Sequence, residues 1–132
     1  MADLVEKELS YEINGALFYV YNELGDGYPE KYYQRAIARA LEKKGIKFQG
    51  QLMVPLDYDD TSIGRFFLDF CIEERLILEI KSAPKLYARD QKQILSYLQR
   101  HNIKLGILVN FGRQKLEIKR ILRGSIRADS SS

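Results

Sequence analysis

One cysteine, one histidine, three prolines and no tryptophan occur among 132 residues, and the first two scarcities close off several chemistries. The lone thiol, Cys71, can build neither a disulfide framework nor a thiolate metal site. It lies in the apolar run Phe66-Phe67-Leu68-Asp69-Phe70-Cys71-Ile72 and reads as core. The lone imidazole, His101, excludes centres that need two or three, including most zinc hydrolase sites. A GxxxxGK[ST] phosphate loop and a GxSxG elbow are both missing. No stretch approaches the roughly 20 apolar residues of a membrane span, and MADLVEKELS lacks the basic and apolar regions of a secretory leader. The expectation is a soluble, cytoplasmic protein with no membrane partner, whose chemistry falls to carboxylates and lysines.

What is present suits one compact core: 45% of the chain is apolar and 30% charged. The net charge of +3 is mild but unevenly spread. Residues 1–81 hold 15 acids and 10 bases, whereas residues 82–132 hold 11 bases and 3 acids. Arg113, Lys115, Lys119, Arg120, Arg123 and Arg127, against the single acid Glu117, form the candidate electrostatic footprint for nucleic acid, with a solvated basic face as the alternative. The nine tyrosines and six phenylalanines stand mostly at core-compatible spacing, and no aromatic RNA-binding motif accompanies the basic run.

Apolar positions Leu9, Ile13, Ala16, Leu17, Val20 and Leu24 recur at steps of three and four and predict a helix from Glu8 to Leu24. Gly25-Asp26-Gly27-Tyr28-Pro29 stops it. A second helix is expected from Glu30 to Lys43-Lys44, with Gly45 beyond its end. The pattern then turns to β: strands over Ile46 to Leu56 and Ile63 to Ile72, separated by Asp57, Asp59 and Asp60, then Leu76 to Lys81 after the break Glu73-Glu74-Arg75. A third helix is expected from Tyr87 to His101, with Ile94, Leu95 and Leu98 inward. Strands over Ile103 to Asn110 and Lys115 to Leu122 follow, joined by Phe111-Gly112-Arg113. The order is ααβββαββ, an α/β fold with helices around one central sheet.

Two places break the core pattern. Asp69 sits between Leu68 and Phe70, where an uncompensated carboxylate is costly. On the next strand Glu79 and Lys81 share one face, with Leu76, Leu78 and Ile80 on the other. If the hairpin loop centres on Glu74, Asp69 faces Glu79; a shift of half a residue puts Leu78 there instead, so a three- or five-residue connection is required. Converging carboxylates repel unless a cation or a shared proton intervenes, and Mg²⁺, which uses one or two carboxylates and keeps several waters, is the natural cation. Lys81 beside it could orient or deprotonate a water. The bland reading keeps Glu79 and Lys81 as a solvated pair and satisfies Asp69 with backbone or tyrosine hydroxyl groups. On the following helix Gln93 and Tyr97 are neighbours at i and i+4, with Arg89, Lys92 and Arg100 nearby, a face able to hold a phosphodiester backbone.

These residues join in one pattern: over about residues 9–122 the chain resembles the PD-(D/E)xK nuclease superfamily and, within it, the small GxxExxY proteins. Gly27-Tyr28-Pro29-Glu30-Lys31-Tyr32-Tyr33 reproduces the GxxExxY signature. Asp69 matches the motif aspartate, Glu79-Ile80-Lys81 the (D/E)xK element, Gln93 to Tyr97 the QxxxY element of RecB-like members, and Asn110-Phe111-Gly112 a further similar segment. Leu68 stands where proline is common. The resemblance implies a restriction-endonuclease-like core, a mixed sheet flanked by helices, in a single nuclease-like domain over 1–124 with a disordered tail over 125–132.

It further implies Mg²⁺- or Mn²⁺-dependent hydrolysis of DNA. Asp69, Glu79 and the Ile80 carbonyl would hold the ion, Glu30 would act through water or a second cation, Lys81 would position the attacking water, and Gln93 and Tyr97 would orient the strand. Lys92 and Arg100 join them as substrate-binding residues. A homodimer or a helicase-like partner is compatible with so small a nuclease. The competing readings are a nucleic-acid-binding or assembly module of the same fold that cleaves nothing, and a protein-interaction domain with structural carboxylates.

Overall fold

The computed structural model describes residues 5–112 and 114–124. It contains helices α1 (Lys7–Leu24) and α2 (Glu30–Lys43), strands β1 (Phe48–Tyr58), β2 (Thr61–Ile72) and β3 (Leu76–Lys81), helix α3 (Ala88–His101), and strands β4 (Leu105–Asn110) and β5 (Glu117–Leu122). The expected order and types hold, including the mixed sheet flanked by helices. Residues 125–132, expected as a tail, lie outside the described residues, as does Arg113.

The elements end where the backbone chemistry demands. At the end of α1, Gly25 takes φ 74 and returns its N–H to Tyr21 O at 2.7 Å, a left-handed stop that glycine adopts without a Cβ penalty. Pro29, with φ −55, precedes the first turn of α2, where a missing N–H costs nothing. Asp59 and Asp60 both take positive φ, 52 and 58, between paired Tyr58 and Thr61. This two-residue turn suits the twist of a hairpin, so Asp57 belongs to β1 and not to the turn. Both strands therefore run further than their hydrophobic pattern indicates.

The sheet order is β1-β2-β3-β4-β5, with β3 and β4 parallel and every other pair antiparallel. Helix α3 is the crossover that the parallel pair requires. Helices α1 and α2 cover one face through Ile13, Leu17, Tyr33, Ile37 and Leu41, packed on Leu76, Leu78, Ile80, Ile107 and Val109. Helix α3 covers the other with Ile94, Tyr97 and Leu98 against Leu68, Ile77 and Leu108. Strand β3, buried on both sides, is the centre of the molecule.

One irregularity matters for the site. Phe48, Phe70 and Ile72 pack under α1 and α2, yet Leu52, Val54 and Leu68, of the same parity, pack under α3. Since successive side chains alternate faces, the alternation has reversed between the two sets. The break lies where Gln51 takes φ 53 and drops out of the β1–β2 ladder. In that register the residue opposite Gln51 is Asp69.

Candidate active site

The β2–β3 hairpin closes with Glu73 and Glu74 in the left-handed region and a three-residue connection from Ile72 to Leu76. Its pairs, Ile72 with Leu76, Cys71 with Ile77 and Phe70 with Leu78, set the register in which Asp69 comes opposite Glu79. The regular ladder stops one step short of them. In its place the side chains reach across: the Asp69 N–H donates to Glu79 Oε1 at 2.9 Å, and the Ile80 N–H donates to Asp69 Oδ2 at 2.8 Å. Two backbone donors that the opening strands would orphan are thus satisfied by carboxylates. The reversal of the pleat lets Asp69 point into the gap and not into either core.

The other groups arrive from three elements. Gln34, one turn after Glu30 on α2, donates from Nε2 to Asp69 Oδ1 at 2.8 Å and lies 3.2 Å from Glu30 Oε2. Lys81 Nζ is 3.3 Å from Glu79 Oε2 and 3.8 Å from Asp90 Oδ1. Asp90 accepts the Tyr87 N–H at 3.0 Å and so fixes the start of α3. Asp69, Glu79 and Asp90 are all buried, and Glu30 and Lys81 half-buried. Glu30, Asp69, Glu79 and Lys81 thus form one cluster. Gln34 and Asp90 are members that sequence reasoning missed, although the i, i+4 spacing from Glu30 and a first-turn acid on α3 were visible signals.

The electrostatics follow from crowding. Burial, then the neighbouring Asp69 charge, pushes the Glu79 carboxyl up to about 8, against the opposing pull of Lys81. Burial also raises Asp69, although the Ile80 N–H favours its ionised form, and Glu30 is raised by burial. Burial alone would lower Lys81, but Glu79, Glu30 and Asp90 together hold its ammonium above the usual lysine range. The buried Asp69–Glu79 pair therefore resists full ionisation, and Lys81 is held as a cation, able to orient a water. Among the described residues no group of three or more His, Cys, Asp and Glu is gathered closely enough to hold a metal ion. The oxygen-only pair Asp69 and Glu79, whose ionisation burial and mutual repulsion oppose, fits a hard cation that fills its remaining positions with water.

The loops at the carboxyl ends of β3 and β4 are fastened together. Asn110 Oδ1 accepts the N–H groups of Ala83 and Gly112, each at 3.0 Å, and its Nδ2 donates to Ala83 O at 3.0 Å. A Cβ on Gly112 would come within 2.3 Å of the Ala83 backbone, so this approach requires glycine. Phe111 stacks on Tyr33 at 4.2 Å, and the Tyr33 hydroxyl donates to Gly25 O at 2.7 Å and accepts the Tyr28 N–H at 3.1 Å. The Gly27 to Tyr33 and Asn110 to Gly112 segments thus hold one another, and with them the start of α2 and the residues following Lys81.

The residues expected to contact substrate are less uniform. Lys92 is exposed and Gln93 half-buried, whereas Tyr97 lies in the core under α3, stacked at 4.0 Å on His101. Arg100 pairs with Asp57 at 3.3 Å. The C-terminal basic run is also partly engaged: Arg120 donates to Ser10 Oγ and Val5 O, and Arg123 to Asn102. Lys115 and Lys119 remain exposed, while Leu116 and Ile118 pack on the core beneath α1 and α2, as strand alternation predicts.

The five-stranded mixed sheet flanked by helices is the restriction-endonuclease-like arrangement expected. No helix among the described residues is long and apolar enough to cross a membrane. Comparison with curated proteins and with solved structures gives no match. A family model described as the PD-(D/E)XK nuclease superfamily matches residues 7–121. That span runs from the start of α1 into β5 and includes every member of the carboxylate–lysine cluster; the chain belongs to the PD-(D/E)XK nuclease superfamily.

Proposed function

We propose that this chain is a metal-dependent nuclease that hydrolyses DNA phosphodiester bonds, with Asp69 and Glu79 holding Mg²⁺ or Mn²⁺ and Lys81 positioning the attacking water. The observation that carries the reading is the reciprocal bonding of Asp69 and Glu79 at the opening of the β2–β3 ladder, with Lys81 at 3.3 Å from Glu79. Membership of a superfamily made up mainly of nucleases supports it. The narrower affiliation with GxxExxY proteins rests on Gly27, Glu30 and Tyr33.

A cation held by Asp69 and Glu79 would supply Lewis-acid stabilisation of negative charge on the phosphate and would make a water more acidic. The protein's own part is positional. Asp69 and Glu79 offer carboxylate oxygens, with the Ile80 carbonyl between Glu79 and Lys81 in the chain as a further donor. Gln34 steadies Asp69 and Glu30, and Glu30 reaches the centre through water or a second cation. Lys81, held cationic by its three carboxylate neighbours, donates to the water and to developing negative charge. Asp90 aims Lys81 from the start of α3. Lys92 and Gln93 contact the strand from the same helix. Tyr97 and Arg100 serve it by supporting that helix and the β1–β2 hairpin.

The test is hydrolysis of DNA by the purified chain with Mg²⁺ or Mn²⁺. Asp69→Ala and Lys81→Ala are each expected to reduce the rate by at least about 100-fold while the variants stay folded by circular dichroism. Activity equal to wild type in both would refute the assignment. DNA binding without cleavage under any cation would instead establish the non-catalytic module of the same fold.

A further inference from the structure

Four exposed aromatic rings lie within two or three residues of the cluster; Tyr28 meets Tyr33 edge-on at 6.1 Å, and the other three are each accompanied by cations. Tyr32, two residues after Glu30, is 44% exposed, with Lys31 Nζ 5.3 Å and Arg35 Cζ 5.8 Å from its ring centroid. Phe67, two residues before Asp69, is 47% exposed, with Arg65 Cζ at 5.9 Å. Tyr87, whose N–H is held by Asp90, is 36% exposed, with Lys85 Nζ at 5.3 Å and Arg89 Cζ at 5.2 Å. None of these five cations forms an ion pair among the described residues.

We propose that Tyr32, Phe67 and Tyr87 form a stacking rim that takes the unpaired bases of a single-stranded polynucleotide whose backbone lies at the carboxylate–lysine cluster. The position of the backbone rests on the nuclease reading. A duplex keeps its bases stacked internally and presents phosphates, for which cations suffice and rings are superfluous. Unpaired bases expose their faces, and a ring beside a cation matches base and phosphate together. An apolar protein partner would be served by the rings alone, whereas here each ring carries at least one uncompensated positive charge. The rings also sit on three different elements, α2, β2 and the start of α3, each within three residues of a cluster member, so their exposure is not the overhang of one amphipathic face.

The test uses the full chain in EDTA, with fluorescence anisotropy on a labelled oligothymidine and on a duplex carrying the same number of phosphates. The oligothymidine should bind about tenfold more tightly, and Tyr87→Ala and Phe67→Ala should each weaken it about five- to tenfold, leaving duplex binding unchanged. Tyr87→Phe should retain wild-type binding, separating stacking from loss of fold. Equal affinity for the two probes, or alanine variants that bind like wild type, overturns the rim. Cleavage with Mg²⁺ is scored separately. Hydrolysis with equal probe affinities removes the rim and leaves the nuclease; single-strand preference with no hydrolysis removes the nuclease and leaves the rim.

Discussion

Glu79 titrates far from an ordinary glutamate because it is buried beside a second carboxylate, which pushes it up to about 8 from the 4.5 of a solvated chain. Between those values the folded form binds more protons than the unfolded one, so stability falls as pH rises across the interval. In EDTA, urea denaturation between about pH 5 and pH 8 should show a decline for wild type that Glu79→Gln flattens; a profile that rises, or that the variant leaves unchanged, contradicts the raised Glu79 carboxyl. Lys81 has the same sign at a higher pH. Its raised value keeps its contribution intact through neutral pH and removes it only above the lysine range. At this scale Asp69, Glu79 and Lys81 were legible because charge in an apolar run is anomalous. Gln34 was less so: its i, i+4 spacing from Glu30 was visible, but an amide on a polar helix face looks like any solvated residue until Asp69 is brought to it.

The elements that matter most are loops at strand ends. Asn110, Phe111 and Gly112 bind β4 to the segment after β3 through two hydrogen bonds between Asn110 and Ala83 and one close backbone approach at Gly112. Gly112→Ala forces that backbone apart, and a loss of about 1–3 kcal/mol in chemical denaturation is expected; a variant as stable as wild type would show that the loop can yield. The hairpin turns tell the same story. Asp59-Asp60 and Glu73-Glu74 each place two consecutive non-glycine residues at positive φ, a strain tolerated because it fixes registers on which burial of whole strand faces depends. The connection length from Ile72 to Leu76 was readable as a break in the apolar pattern. The left-handed Gln51 was not, because glutamine carries no local preference for that conformation.

For the whole molecule, a cation that binds only the folded form stabilises it by mass action. Mg²⁺ at a hundredfold excess over its dissociation constant should stabilise wild type by about 2.7 kcal/mol and raise its melting temperature by roughly 10 °C, and Asp69→Asn should abolish the shift. An equal shift in both proteins would place the ion elsewhere. The uneven charge of the two chain segments was visible from composition, but its destination was not: Arg120 and Arg123 are spent on α1 and on the end of α3, and Arg100 on the β1–β2 hairpin. By itself the sequence determined the element order, two alternative hairpin registers and the carboxylates to suspect, because periodicity and misplaced charge are properties of neighbouring residues. The tertiary structure decided the reversal of the pleat opposite Asp69, the arrival of Gln34 and Asp90, and which aromatics stay exposed, because each depends on how helices from distant parts of the chain cover a sheet whose faces a local pattern cannot assign.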